Sequence, residues 1–248
     1  MNRRLREIVD RREPVRGCFC MIPGAVITEI LGAAGTDFVV FDGQHGWLSY
    51  ADIVGMLQAA AIRGTPAIVR TASSDAAEIG RVLDAGADGV LVPLVNTAED
   101  ARAAVRATRY PPDGERSWGP LRHVLADASY DTRAANEIAV CVAMIETVEA
   151  VDNLDAILDE GVDAVMLGPS DLAISYSGDV GGAASGERDV ERIEHVAQTC
   201  ASRGVACGFA ALSPPDLPRW ERAGYTLNTV TWDVGLLTDG MGRAMKER

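Results

Sequence analysis

Four times along the chain a helix-like stretch ends on a glycine and restarts, one residue later, as a strand-like apolar run. Leu31-Gly-Ala-Ala-Gly35-Thr-Asp37-Phe-Val-Val is followed by Leu83-Asp-Ala-Gly86-Ala-Asp88-Gly-Val-Leu-Val and by Leu158-Asp-Glu-Gly161-Val-Asp163-Ala-Val-Met-Leu, and a looser copy begins at Arg222-Ala-Gly224. Each copy reads as a helix end, a glycine in the left-handed cap, one connecting residue and then a strand. These glycines and aspartates are therefore structural, marking the end of the molecule where strands begin. Strands are predicted over Val15–Ile22, Asp37–Asp42, Pro66–Arg70, Gly89–Pro93, Val140–Glu146, Ala164–Gly168, Ala206–Ala210 and Thr226–Asp233. Between them, segments such as Tyr50–Ile62, Ala76–Leu83 and Ala98–Thr108 carry helical spacing. Regular βα alternation with strands this apolar predicts a parallel sheet covered by helices on its outer face. A length of 248 residues suits one α/β (β/α)8, or TIM, barrel spanning residues 1–248. The connection Arg109–Ile138, with Pro111, Pro112, Gly114, Gly119 and Pro120, is too irregular for one helix and reads as an extended functional loop.

Two of the predicted strands run into acid. Val140–Ile145 leads to Glu146, and Ala164–Leu167 leads through Gly168, Pro169 and Ser170 to Asp171. A carboxylate at the end of a buried strand needs a partner. Two hard oxygen ligands side by side, with other positions left to water and substrate, suit a divalent ion such as Mg²⁺ or Mn²⁺, with Co²⁺ a third candidate. A structural hydrogen-bonding pair is the alternative. The only lysine is Lys246, near the end of the sequence, so a buried Schiff-base lysine is excluded in practice. Carbonyl chemistry here calls for a metal.

Composition removes other classes. A net charge of −13 argues against nucleic acid, which needs a basic face. No apolar run reaches the roughly 18–20 residues of a membrane span. The first ten residues place charges inside their first apolar stretch, unlike a secretory signal, and predict a short amphipathic helix before the first strand. The expected location is cytoplasmic, without a membrane partner. The cysteines at 18, 20, 141, 200 and 207 form no C-x-x-C pair, and most are expected to be small buried apolar residues.

In such barrels the reacting groups sit at the carboxyl ends of strands. Those ends supply Asp42, Gly43, Gln44 and His45 after strand 2, Arg70 after strand 3, Pro93 after strand 4, and then the two acidic segments. His45 is either a polar packing residue or a general base, with Asp42 three residues earlier orienting the imidazole. Arg70 either snorkels at the barrel end or pairs bidentately with a carboxylate. Gly168-Pro169-Ser170 is either an ordinary turn or a set of backbone N–H groups open to a substrate carboxylate.

The motifs Phe41-Asp-Gly-Gln-His-Gly46, Val69-Arg70, Leu83 to Pro93, Arg109-Tyr-Pro-Pro112, Gly114, Arg116-Ser117, Met144-Ile-Glu-Thr147 and Leu167-Gly-Pro-Ser-Asp-Leu172 together resemble the HpcH/HpaI aldolase family. These are class II, metal-dependent pyruvate aldolases of the phosphoenolpyruvate/pyruvate-type barrel superfamily, and the motifs follow the family's order over almost the whole chain. The resemblance implies that Glu146 and Asp171 hold the divalent ion, that Arg70 binds the pyruvate moiety, and that His45, supported by Asp42, moves the proton. It further implies a homo-oligomer, a hexamer built as a trimer of dimers, with the last helix exchanged between barrels and with Trp118 and Arg122 serving a neighbour's site. Asp84 matches a family aspartate but also lies in the helix-end repeat, so it ranks low, as does Gln44. Gln44 stands where many members carry glutamate, and Met144 where glutamine is common. The segment from Ile174 to Gly186, rich in Gly and Ser, also departs from the family pattern and is expected to reshape the mouth.

The implied reaction is reversible cleavage of a 4-hydroxy-2-oxo acid to pyruvate, or a close 2-oxo acid, and an aldehyde, through a metal-stabilised enolate. Two other readings use the same site. One is a citrate-synthase-like or other acyl-CoA or oxaloacetate enzyme, distinguished by dependence on CoA rather than aldehyde. The other is a barrel that binds a 2-oxo acid without turnover, distinguished by the absence of deuterium exchange into pyruvate.

Overall fold

The structure, a computed structural model, describes residues 3–180, 187–210 and 217–246. Its strands are β1 (Val15–Cys20), β2 (Phe38–Asp42), β3 (Ala67–Arg70), β4 (Gly89–Val92), β5 (Val140–Ile145), β6 (Ala164–Leu167), β7 (Ala206–Ala210) and β8 (Leu227–Trp232). Its helices are α1 (Arg4–Arg11), α2 (Ala25–Ala33), α3 (Tyr50–Arg63), α4 (Ala76–Asp84), α5 (Ala98–Thr108), α6 (Leu121–Ala126), α7 (Thr132–Ile138), α8 (Val148–Asp152), α9 (Leu154–Asp159), α10 (Pro169–Ser177), α11 (Glu187–Arg203), α12 (Leu217–Ala223) and α13 (Asp233–Lys246). Each strand pairs in parallel with its successor and β8 returns to β1, closing the barrel expected of this α/β pattern. All eight predicted strands are present, trimmed by at most two residues at an end.

The period of two along each strand decides what faces inward. Phe38 and Val40, Ile68, Val140, Val142 and Met144, Ala164 and Met166, and Ala206 fill the barrel interior. Val39 and Phe41, Val69, Cys141, Ala143 and Ile145, and Val165 and Leu167 pack outward against the helices. Continuing the inward phase by one step past this packed layer reaches Asp42, Arg70, Glu146 and Gly168, and two steps past Ala206 reach Ala210. The alternation that builds the core therefore aims these residues at the carboxyl end of the barrel.

At the opposite end, the repeat is structural as expected. Gly35, Gly86, Gly161 and Gly224 have φ of +87°, +106°, +79° and +115°, where a side chain is strained. The aspartates that follow clip neighbouring strands together. Asp37 accepts the N–H of Arg16 at 2.9 Å, Asp88 that of Ala67 at 3.0 Å, and Asp163 that of Cys141 at 2.8 Å. α1 closes this end with Leu5 and Val9 in the interior cluster, while Arg6 reaches Asp163 at 2.8 Å and the Ala139 carbonyl at 2.6 Å.

The connection Arg109–Ile138 differs from the expected loop. It contains α6 and α7, and it lies where strands begin, because α5 runs back down the barrel before β5 starts. Asn136 fixes its start by accepting the Tyr110 N–H at 2.7 Å and donating to the Tyr110 carbonyl at 2.9 Å. No helix among the described residues is long and apolar enough to cross a membrane. All five cysteines are buried and free. α13 leaves Leu236, Leu237, Met241 and Met245 exposed.

Candidate active site

Asp42 and Arg70 are register partners on β2 and β3, both buried at the carboxyl end. Arg70 donates from Nε to Asp42 Oδ1 at 2.9 Å and from Nη2 to Oδ2 at 2.6 Å, a bidentate fork. Its remaining Nη1 faces the Met144 sulfur at 3.8 Å, and its guanidinium lies 5.1 Å from the centre of the Phe19 ring. Burial pushes Asp42 upward, but the Arg70 guanidinium and the N–H groups of His45 and Gln44 outweigh it and hold the carboxyl below its ordinary value. Those two N–H groups reach Asp42 Oδ1 at 3.1 Å each. Asp42 thus meets His45 through the main-chain N–H, while its ion pair is with Arg70. The carboxylate binds the main chain of the turn and spends its charge on Arg70, because the inward strand phase points it across the sheet.

Glu146 follows β5 and is 2% exposed. Its Oε1 accepts the Leu94 N–H at 2.7 Å. Leu94 has φ of +54°, a left-handed conformation uncommon for a residue of this type, and its side chain projects outward. Such strain beside a buried carboxylate marks a site. Gly168 precedes α10 as its N-cap without a side-chain hydrogen bond, so the first-turn N–H groups of Ser170 and Asp171, two residues that line the cavity, have no side-chain cap. A β-carbon on Gly168 would stand 2.9 Å from Glu146 Cβ, 2.9 Å from Met144 Cε and 3.0 Å from Glu146 Oε2. Only glycine lets the helix start this close to the carboxylate.

Between these groups opens a cavity of about 180 Å³. Asp42, His45, Arg70 and Asp171 supply its charged and titratable lining, Gly168, Pro169 and Ser170 one edge, and Phe19, Met21, Met144, Ala210 and Trp232 an apolar wall. Glu146 lies immediately behind Gly168 rather than on the cavity surface. Burial pushes its carboxyl upward, the Leu94 N–H opposes that, and the charge of Asp171 raises it further. The Arg70 guanidinium opposes the rise, and a divalent cation beside the two carboxylates would oppose it further. Among the described residues no cluster of three His, Cys, Asp or Glu side chains forms a metal cage. Two carboxylates with open positions suit a hard divalent ion that keeps water or substrate oxygens as its other ligands. The residues present fit such an ion.

The structure brings His45, Arg70, Asp42, Asp171, Gly168, Pro169 and Ser170 to one cavity with Glu146 behind it. It does not bring Asp84, Trp118 or Arg122 there. Asp84, the last residue of α4, pairs with Arg116 at 2.7 Å. Arg122 donates to the carbonyls of Ala85 at 2.6 Å and Leu57 at 3.1 Å, and Trp118 is half exposed beside Tyr110. All three lie at the end where strands begin. Gln44 sits near the mouth without lining the cavity, and its Oε1 is buried without a hydrogen-bond partner. Of the segment 174–186, α10 ends at Ser177 and residues 181–186 lie outside the described ones. Sequence reasoning missed Leu94, the apolar wall, and Asp233, whose carboxylate holds the N–H groups of Met21 and Ile22 at 2.9 Å each.

A family model described as HpcH/HpaI aldolase/citrate lyase matches residues 16–239. A hydroxypyruvate/pyruvate aldolase of Delftia acidovorans is 36% identical over 231 residues, covering 92% of this chain and 85% of that protein. A 2-keto-3-deoxy-L-rhamnonate aldolase of Klebsiella pneumoniae is 32% identical over 249 residues, covering 95% of this chain and 89% of its own length. Among solved structures, an HpcH/HpaI aldolase/citrate lyase family protein from Burkholderia cenocepacia is similar with a TM-score of 0.88 and 28% identity, over 100% of this chain and 99% of that one.

Proposed function

The chain belongs to the HpcH/HpaI aldolase/citrate lyase family, and on that premise we propose that it is a metal-dependent aldolase in which Glu146 and Asp171 hold the divalent cation, Mg²⁺, Mn²⁺ or Co²⁺. It splits a 4-hydroxy-2-oxo acid into pyruvate, or a close 2-oxo acid, and an aldehyde. The observation that carries the assignment of the ligands is the buried Glu146, raised by burial and by its neighbour Asp171, at the back of a cavity lined with a base and a guanidinium. A cation held there draws electron density from the oxygens of the 2-oxo acid and so favours the enolate form of the pyruvate half.

The chain's own residues do the rest. Arg70, fixed by Asp42 through Nε and Nη2, keeps Nη1 for the substrate carboxylate, so the guanidinium orients the acid before the bond breaks. The N–H groups opening α10 offer donors to the same oxygens. His45 takes the proton from the C4 hydroxyl, the C3–C4 bond breaks, and its electrons form the enolate double bond while the aldehyde leaves. Protonation at C3 then yields pyruvate. Release of pyruvate from a 4-hydroxy-2-oxo acid, followed by coupled reduction, tests the reading. Turnover that needs metal, ignores CoA and stops with EDTA supports it. Turnover that needs CoA refutes it in favour of a condensing enzyme.

The same reading makes residues 1–248 one barrel domain working in the cytoplasm as a hexamer, a trimer of dimers. The exposed apolar residues of α13 support exchange of that helix between barrels. Trp118 and Arg122, remote from their own cavity, then serve a neighbouring subunit.

A further inference from the structure

The apolar wall of the cavity carries two aromatic rings. Phe19 and Trp232 are register partners on β1 and β8, across the barrel mouth from β5 and β6, which lead into Glu146 and Asp171. Both line the cavity. If the 2-oxo acid end lies by the carboxylates and Arg70, the aldehyde half extends toward these rings.

The orientation of Trp232 is fixed by its neighbour. A β-carbon on Gly235, in the first turn of α13, would overlap Trp232 Nε1 and stand 2.5 Å from Cδ1. The nitrogen edge of the indole is therefore packed against α13, and the one polar atom of the aromatic pair is turned toward that helix. Charge is scarce as well. Among the described residues Arg70 is the only Lys or Arg side chain lining the cavity, and two of its nitrogens are held by Asp42. The only lysine of the chain is Lys246. Among the chain's own described residues, a second carboxylate on the aldehyde would meet no counter-charge beside Phe19 and Trp232, and a row of hydroxyls would lose water for few hydrogen bonds. An apolar substituent instead gains by burial.

We propose that Phe19 and Trp232 form the seat of the aldehyde half, with Gly235 as the residue that positions the indole, and that the seat takes uncharged aliphatic or aromatic aldehydes in preference to polyol or carboxylate-bearing ones. This rests on the aldolase reading above. The full-length enzyme with Mn²⁺ and pyruvate is assayed for addition to benzaldehyde, D-glyceraldehyde and succinate semialdehyde, comparing kcat/KM ratios within each protein so that any general loss cancels. The wild type favours benzaldehyde over each polar aldehyde by about 10-fold or more. Trp232→Ser lowers that ratio about 10-fold, Trp232→Phe retains it, and Gly235→Ala, which displaces the indole, lowers it as well. Should Trp232→Ser fail to fold, Gly235→Ala and Trp232→Phe carry the comparison. A wild type that favours either polar aldehyde, or a ratio that neither Trp232→Ser nor Gly235→Ala moves, overturns the seat. Exchange of pyruvate methyl protons in D₂O on the same wild-type sample separates the two failures. Exchange with an unmoved ratio overturns the seat alone, whereas no exchange overturns the aldolase reading and the seat with it.

Discussion

Replacing Asp42 by asparagine keeps the shape of the side chain and removes its charge. The carboxylate is fully buried, and its partner Arg70 is 8% exposed. Breaking a buried pair by deleting one charge leaves the other desolvated and uncompensated, which costs about 3–5 kcal/mol. For a chain of this length that lowers Tm by about 6–20 °C. The loss also frees the guanidinium proposed to orient substrate, so kcat/KM should fall about 100-fold. Asp42→Asn combined with Arg70→Met leaves no buried charge and recovers most of the stability, though not the activity. The pH dependence has a definite sign. The Asp42 carboxyl is held below its ordinary value, so the stability it contributes is present above about pH 4 and is lost as pH falls through its depressed folded value. The gap between wild type and Asp42→Asn therefore narrows below about pH 4. Urea unfolding of the wild type and of the single and double variants at several pH values measures all of this. A single variant within about 1 kcal/mol of wild type, or a double variant as unstable as the single, would show that the buried charge pair does not carry this stability.

Gly168→Ala puts a methyl 2.9 Å from Glu146 Cβ and Met144 Cε, and it should weaken Mn²⁺ binding about 10-fold by calorimetry while the fold stays intact by circular dichroism. Leu94→Gly relieves a left-handed backbone on a residue whose side chain is exposed; Tm should stay level or rise, corresponding to a gain of up to about 1 kcal/mol. Burial pushes His123 down to about 4, so its neutral state stabilises the fold above about pH 6.5 and that contribution drains away as pH falls toward 4. Denaturant titrations from pH 7 to pH 4 should show a wild-type loss, up to about 3 kcal/mol, that is absent in His123→Phe.

Much of the fold can be read from the repeat. A glycine that needs positive φ, one spacer and an apolar run fix where a helix ends and a strand starts, and four copies imply the alternation that closes into a barrel. The site followed because acids ending apolar strands are rare without a use. Asp42 was harder. Its closeness to His45 in sequence suggested an imidazole contact, whereas strand phase and register place it opposite Arg70. That pairing depends on which residues of β2 and β3 face each other, a relation between segments 28 residues apart. The apolar wall was hidden for a different reason. Phe19 and Trp232 look like ordinary core residues, and only their height on β1 and β8 puts them at the mouth. The segment Arg109–Ile138 announced its irregularity through Pro and Gly, but its place follows from the downward run of α5 rather than from its composition. Leu94 carries no signal at all, since leucine is not a residue that advertises a left-handed backbone.

If Glu146 and Asp171 hold a cation that lets this barrel form the enolate of pyruvate, exchange of the pyruvate methyl protons depends on both the metal and Glu146. Its most direct test is proton NMR of pyruvate in D₂O with the protein, with added Mg²⁺ or Mn²⁺ or with EDTA, for the wild type and Glu146→Gln. The methyl signal should be lost with metal and kept with EDTA, and the exchange rate should fall about 100-fold or more in the variant. Exchange that persists in EDTA, or that Glu146→Gln leaves at the wild-type rate, would contradict it.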